Sequence, residues 1–514
     1  MRTFSVSVLL VCLALILLMT TGCDRSEAAA DWPYPRYDLA NTGANPTVKC
    51  QLLEQPVELW QVTLPRGYVP WTLSPAAADI DNDGRVEYLI NGWNQTPEYW
   101  LYAFNVEDGS ILWKKYFDDD FYWSAPTIVD VNKDSQLDIV LATDTQVMAL
   151  NGNDASPIWV QPFPGRGMGM TVADVNNDGW LEVVINDYSE LKKIHLLNGQ
   201  DGSLIWQRET GGSAYNIPTV GDVNGDGRPE ILSHNHLYDP SRERLLVWDR
   251  EGNELWTYLA SASAEQEANA PPELGWVPDY GYISTTIADF DADGEIEIGW
   301  GSRCHYHVLD GIGHLLWRVP TVEGYGIYLS HRTDGTVEPD KHGIGGPQGY
   351  AAGVGNLDSD PALEVVLSFE PEYRADWYET TGTVVYTQVT PANVIRVLDG
   401  EDGTLQWVFE GEYPSEEKIE KMYEPVLADL TADGLLDVLA LSTDRHLYAI
   451  QGTTGEQLMA YRVGPKDVPL FWVAHHLTFV ADGTNGIVLY NTGDDTNWPP
   501  VSTLHALQIG RDCR

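Results

Sequence analysis

Positive charge is scarce in this chain of 514 residues: 30 Lys and Arg stand against 76 Asp and Glu, for a formal net charge of -46. A surface of that sign repels phosphates and anionic headgroups, which excludes nucleic-acid binding, while bound divalent cations would relieve its self-repulsion. After residue 19 no stretch is apolar for the roughly 20 residues that a membrane-spanning helix needs. No two cysteines are adjacent and no CxxCH haem site occurs. There is no HExxH zinc motif, and no Ser-His-Asp set can be picked out from spacing. What the chain does have is 43% hydrophobic and 11% aromatic residues, enough for a large globular core.

The first 22 residues read as a signal peptide. Arg2 precedes an apolar run from Val6 to Met19, and Thr20, Thr21 and Gly22 provide small residues before Cys23. The segment MTTGC resembles a bacterial lipobox, with Thr20 where Leu is usual. That resemblance implies cleavage before Cys23, lipidation of its thiol, and an extracytoplasmic chain held to the cell envelope membrane by lipid. An ordinary signal peptide cut nearby is the alternative. Residues 23–55 are expected to form a tether and lead-in, and residues 56–514 the folded domain. Cys50 lies near the start of that domain and Cys513 is the penultimate residue. A fold that brings its termini together could join them by a disulfide; otherwise both are free thiols.

The stretch DVNNDGWLE from Asp174 recurs as DIDNDGRVE from Asp79, DVNKDSQLD from Asp130, DVNGDGRPE from Asp222, DFDADGEIE from Asp289, NLDSDPALE from Asn356 and DLTADGLLD from Asp429. All seven copies carry an acid at the ninth position. Between them run short β-rich segments, a DG-like turn and a strand bearing Trp113, Trp159, Trp206, Trp256, Trp317 or Trp407. Each unit therefore holds about four strands, the size of a propeller blade. A further unit with Met459 in the Trp place and no carboxylate loop ends one strand short, and VELWQV with Trp60 supplies the missing strand. The expectation is an all-β, eight-bladed propeller whose last blade is closed by the N-terminal strand, which would also bring Cys50 and Cys513 together.

The DxDxDGxxE loops resemble FG-GAP repeats of the integrin α-subunit type. The LNGQDGSLIW pattern and the early WPYPRYDLANTG resemble quinoprotein-like propellers. The FG-GAP resemblance implies calcium, held by side-chain oxygens at positions one, three, five and nine and a carbonyl at position seven. The implied ligand sets are Asp79, Asp81, Asp83 and Glu87; Asp130, Asn132, Asp134 and Asp138; Asp174, Asn176, Asp178 and Glu182; Asp222, Asn224, Asp226 and Glu230; and Asp289, Asp291, Asp293 and Glu297. The copies with Pro361 and Thr431 depart from the pattern. Acidic β-turns without metal are the alternative.

In a four-stranded blade the acidic loops and DG turns share one face, and the long insertions at about 258–283, 318–349, 369–393 and 408–424 fall on the other. Long loops on a rigid scaffold carry function or merely cap it. Trp71, Trp123, Tyr215, Tyr282, Tyr350, Tyr423 and Trp472 each precede the acidic loop, or its blade-eight counterpart, and form an expected ring at the channel mouth on that face. Such a ring suits a sugar or other flat ligand, or fills the channel as core. The expected function is a monomeric calcium-stabilised module that binds a glycan or a protein. The alternatives are a polysaccharide lyase of the calcium-bearing eight-bladed type, for which His331, Arg332, Lys341 and His342 would supply base and charge, and a quinoprotein dehydrogenase.

Overall fold

The computed structural model describes residues 38–39 and 43–513, apart from 66–67, 71–74, 95–97, 122–123, 188–191, 213–215, 236–243, 260–284, 303–304, 321–326, 332–336, 340–351, 370–372, 379–382, 389–393, 412–421, 443, 464–469, 474–476 and 495–500. Among these residues there is no helix, and the strands form nine sheets, eight of which are the blades of a β-propeller.

Blade three shows how sequence becomes blade. Gly167–Ala173, Glu182–Asp187, Lys193–Asn198 and Leu204–Glu209 pair antiparallel in chain order. The second strand is buried along its whole length, the third is buried except at its ends, and the outer one is largely exposed. Blades pack face to face, so strands near the axis are covered on both sides and read as continuous apolar runs such as VVI. The core is accordingly divided among blade interfaces. Val131, Val140 and Phe163 of blade two, for example, pack with Val172, Val183 and Ile185 of blade three.

A tryptophan stitches most neighbouring blades. The Trp113 Nε1 donates to the Gly152 carbonyl at 2.7 Å, Trp159 to Gly199 at 2.7 Å, Trp206 to Arg250 at 2.9 Å, Trp317 to Gly400 at 2.8 Å and Trp407 to Gly452 at 2.7 Å. The indoles of Trp159, Trp206, Trp317 and Trp407 also lie over a glycine in the turn of the next blade, where a side chain has no room. At Gly403 a Cβ would sit 2.7 Å from the Trp317 ring, and φ there is +76°. Blade seven offers Met459 instead, 7% exposed.

The ring closes as expected. Gln51–Thr63 pairs antiparallel with the C-terminal strand Val501–Arg511, and Trp60 passes the stitch on to the Val106 carbonyl of blade one at 2.7 Å. Cys50 and Cys513 form a disulfide between residues 463 apart in sequence, both fully buried.

Two features differ from expectation. The lead-in is not simply a tether: Ala44–Lys49 adds a parallel strand inside blade seven, against Val426–Asp429, and the closing strand begins at Gln51. The insertions at 318–349 and 369–393 are not only loops. They contribute Ile327–His331, Val337–Pro339, Tyr373–Tyr378 and Thr383–Gln388 to a ninth, four-stranded sheet, joined by parallel pairing of Ile327–His331 with Tyr373–Tyr378. Pairing between segments so distant in the chain leaves no local periodicity to read.

Candidate metal centres

The acidic stretches form one repeated loop. In the first, Asp79 accepts the amides of Asp83 and Gly84, each at 3.1 Å, Asp81 accepts that of Asp83 at 3.1 Å, and Asp83 accepts that of Arg85 at 2.9 Å. Glu87, at the ninth position, folds back to accept the Ile80 amide at 3.0 Å. Positions four and six, Asn82 and Gly84, both have positive φ. Asn and Gly tolerate that conformation, which is why the chain can wrap so tightly here. The same pattern holds in the loop from Asp174, where Asp174 accepts the amides of Asp178 and Gly179 and Glu182 accepts that of Val175. It also holds from Asp130 and Asp222, and with fewer of these bonds from Asp289.

The two atypical copies diverge in opposite ways. From Asp429 the loop closes normally despite Thr431, with Asp429 accepting the amides of Asp433 and Gly434 and Leu430 donating to Asp437. From Asn356 the first residue instead donates its side-chain amide to the Asp360 carbonyl at 2.6 Å. Pro361 has no amide hydrogen to donate to the first residue, so the wrap is lost there. Even so, Asp358, Asp360 and Glu364 remain grouped.

Among the described residues, three acidic groups could hold a metal ion: Asp79, Asp81 and Glu87; Asp289, Asp291 and Glu297; and Asp358, Asp360 and Glu364, with ligand atoms in each within 4.8 Å of one another. The third lies outside the sets expected from the sequence. In the loops from Asp174 and Asp222, Asn176 and Asn224 reduce the charge, and their amides donate to Glu182 and Glu230 at 2.9 Å. In the first two loops no such amide serves the ninth residue, and an oxygen is left over. Glu87 Oε1 and Asp138 Oδ1 are buried without a hydrogen-bond partner, as is Asp289 Oδ1 in the fifth loop.

The electrostatics follow. Burial, with repulsion from Asp81, Asp83 and Asp79, pushes the Glu87 carboxyl up to about 8. Burial raises Asp138, Glu182, Glu230, Glu297 and Glu364 to about 7, and Asp437 to about 6. A buried carboxylate with a spare oxygen, among other carboxylates, has the donor set of a hard cation site.

Of the aromatics expected on the opposite face, Trp71, Trp123, Tyr215, Tyr282 and Tyr350 lie outside the described residues, as does the side chain of Trp472. Tyr423 is described: it is 4% exposed and lies in a core cluster with Val426, Leu441 and Leu447, so at this position the core alternative holds. Of the expected lyase residues, Arg332, Lys341 and His342 lie outside the described residues, and His331 ends a strand of the ninth sheet.

Spacing gave no sign of two hydroxyl–imidazole relays. Thr492 bonds His505 at 3.0 Å and His505 bonds Glu58 at 2.9 Å; Ser302 bonds His307 at 3.0 Å and His307 bonds Tyr258 at 3.3 Å. Each is assembled from strands remote in sequence or from both sides of a blade interface. Thr492, Ser302 and His505 are 5% exposed, and burial pushes His307 down to about 3, so its imidazole is neutral. In these settings the relays satisfy buried polar groups.

The repeat and the fold both have known counterparts. Residues 130–185 and 174–233 match the FG-GAP-like repeat. The propeller carries FG-GAP-like repeats. Among curated proteins no relative matches the sequence. Among solved structures, a europium-containing methanol dehydrogenase is similar over 93% of this chain and 98% of its own, at 11% identity and a TM-score of 0.62. The quinohemoprotein alcohol dehydrogenase of Comamonas testosteroni is similar over 94% of this chain and 81% of its own, at 13% identity and a TM-score of 0.56. The V. cholerae biofilm matrix protein Bap1 is similar over 88% and 91%, at 14% identity and a TM-score of 0.52. At these identities the likeness is one of fold.

Proposed function

We propose that this chain is a calcium-stabilised binding propeller of the cell envelope, with calcium in the acidic loops and a glycan or protein ligand on the opposite face. The observation that carries the metal reading is Glu87: fully buried, one oxygen without a partner, and grouped with Asp79 and Asp81. Calcium bound there would neutralise the loop and pin the turn between the first two strands of its blade. The ninth sheet supports the placing of the ligand. It is an addition to the propeller built from two insertions of one face, whose sequences carry Tyr328, Tyr373, Trp377 and Tyr386. Aromatic faces with polar edges suit sugar rings. The buried Cys50–Cys513 disulfide supports an oxidising compartment, and Cys23 would be the lipid anchor.

The test is a glycan-array and polysaccharide screen of the mature domain in calcium, with ultraviolet absorbance followed for new unsaturated ends. Binding without cleavage supports the proposal; cleavage would replace it with the lyase reading; silence in the glycan screen would leave a protein as the only ligand consistent with it.

A further inference from the structure

The acidic loops of the first four blades are not isolated from one another. The residue at position four of each of the first three reaches across the blade boundary to position six or seven of the next, or both. Asn82 donates its side-chain amide to Gln136 Oε1 at 2.6 Å and to the Ser135 carbonyl at 3.5 Å. The Lys133 ammonium lies 4.1 Å from the centre of the Trp180 ring. Asn177 donates to the Gly227 carbonyl at 3.0 Å. All three bridging residues have φ near +60°, the conformation that the wrapped loop imposes on them. Contact across the boundary therefore depends on the donor loop being wrapped, and it lands on the turn of the acceptor loop.

The series then ends. Position four is Gly225 in the fourth loop and Ala292 and Ala432 in the fifth and seventh, none of which has a side chain that can donate, and Ser359 of the sixth makes no side-chain hydrogen bond to the seventh loop among the described residues. The break coincides with the lengthening of the repeat interval from 48 residues to 67.

We infer that the loops of blades one to four bind calcium as a coupled series, each filled loop favouring the next, while those of blades five to seven bind independently. The inference rests on the calcium reading above. A filled loop holds position four in its left-handed conformation, and the side chain there then holds positions six and seven of its neighbour, one of which carries the carbonyl a cation would use. The coupling must exceed the repulsion between successive bound cations, which acts in the opposite sense.

The variant that isolates this contact is Asn82→Gly with Asn177→Gly. Glycine keeps the positive φ, and Gly225 shows that it supports the wrap: Asp222 still accepts the amides of Asp226 and Gly227, at 3.1 and 2.7 Å. Calcium titration of the chelator-stripped mature chain by calorimetry is the measurement. The wild type is expected to show a steep class of sites with a Hill coefficient above 1. The double variant is expected to bind the same number of ions, with that class flattened and its midpoint weakened about fivefold, the low end of site-to-site coupling. Equal steepness in both proteins, or a wild-type coefficient at or below 1, would overturn the coupling while leaving calcium binding intact. Absence of any binding would overturn the calcium reading and the coupling with it.

Discussion

Replacing both cysteines, Cys50→Ala with Cys513→Ala, tests how the propeller is closed. The bridge spans 463 residues, and the loop-closure relation assigns a ring of that size about 6 kcal/mol of stabilisation through the unfolded chain. Native bridges more often give about 2–5 kcal/mol, because unfolded chains retain structure. At an unfolding entropy of about 2.1 cal/mol/K per residue, those 463 residues contribute about 1 kcal/mol/K. A loss of 2–5 kcal/mol then lowers Tm by about 2–5 °C if the ring unfolds as a unit. The closing strand remains paired from Gln51–Arg511 to Thr63–Thr503 in the variant, so the native circular dichroism should be kept. Calorimetry of oxidised wild type and double variant is the assay. An unchanged Tm would refute the argument that the termini close the ring through this bridge. A separate low-temperature transition would show instead that blade eight opens alone.

Three further outcomes are expected. Gly403→Ala places a Cβ 2.7 Å from the Trp317 ring at positive φ and should cost about 1–3 kcal/mol by denaturant unfolding, whereas alanine at the open Gly225 should cost less. Trp159→Phe removes the donor to the Gly199 carbonyl and should cost about 1–3 kcal/mol in the same assay. In chelator, Tm should fall as pH rises from about 5 to 8: Glu87 is raised from 4.5 to about 8, so its contribution is complete below the unfolded value and is lost as pH passes the folded one. In calcium that fall should disappear, because the cation takes over the stabilisation of the ionised carboxylates.

The parts of this molecule that were legible in its sequence are those repeated at short range. The acid at position nine, the glycine at position six and the Trp of the outer strand recur seven, five and six times in the repeating units, and each does a local job: bonding the loop amide, allowing positive φ, and stitching to the next blade. The unmatched VELWQV strand gave away the closure, and with it the Cys50–Cys513 pair. Features set by long-range pairing were not legible. Nothing in ANPTVK announces a parallel strand beside Val426–Asp429, and the parallel contact of Ile327–His331 with Tyr373–Tyr378 joins two segments that read separately as loops. Position alone also left two readings open for Tyr423, ligand site or core, and the packing with Leu441 and Leu447 decides for core.

The claim on which the account depends is that the acidic loops hold calcium as structural pins. The most direct measurement compares the mature domain with its Asp289→Ala, Asp293→Ala variant for bound calcium after equilibrium dialysis and for Tm with calcium and with chelator. The account predicts one fewer ion in the variant and a lower Tm in calcium, with the chelated samples nearly alike. Equal calcium content in the two proteins, or the same loss of Tm with and without calcium, would contradict it.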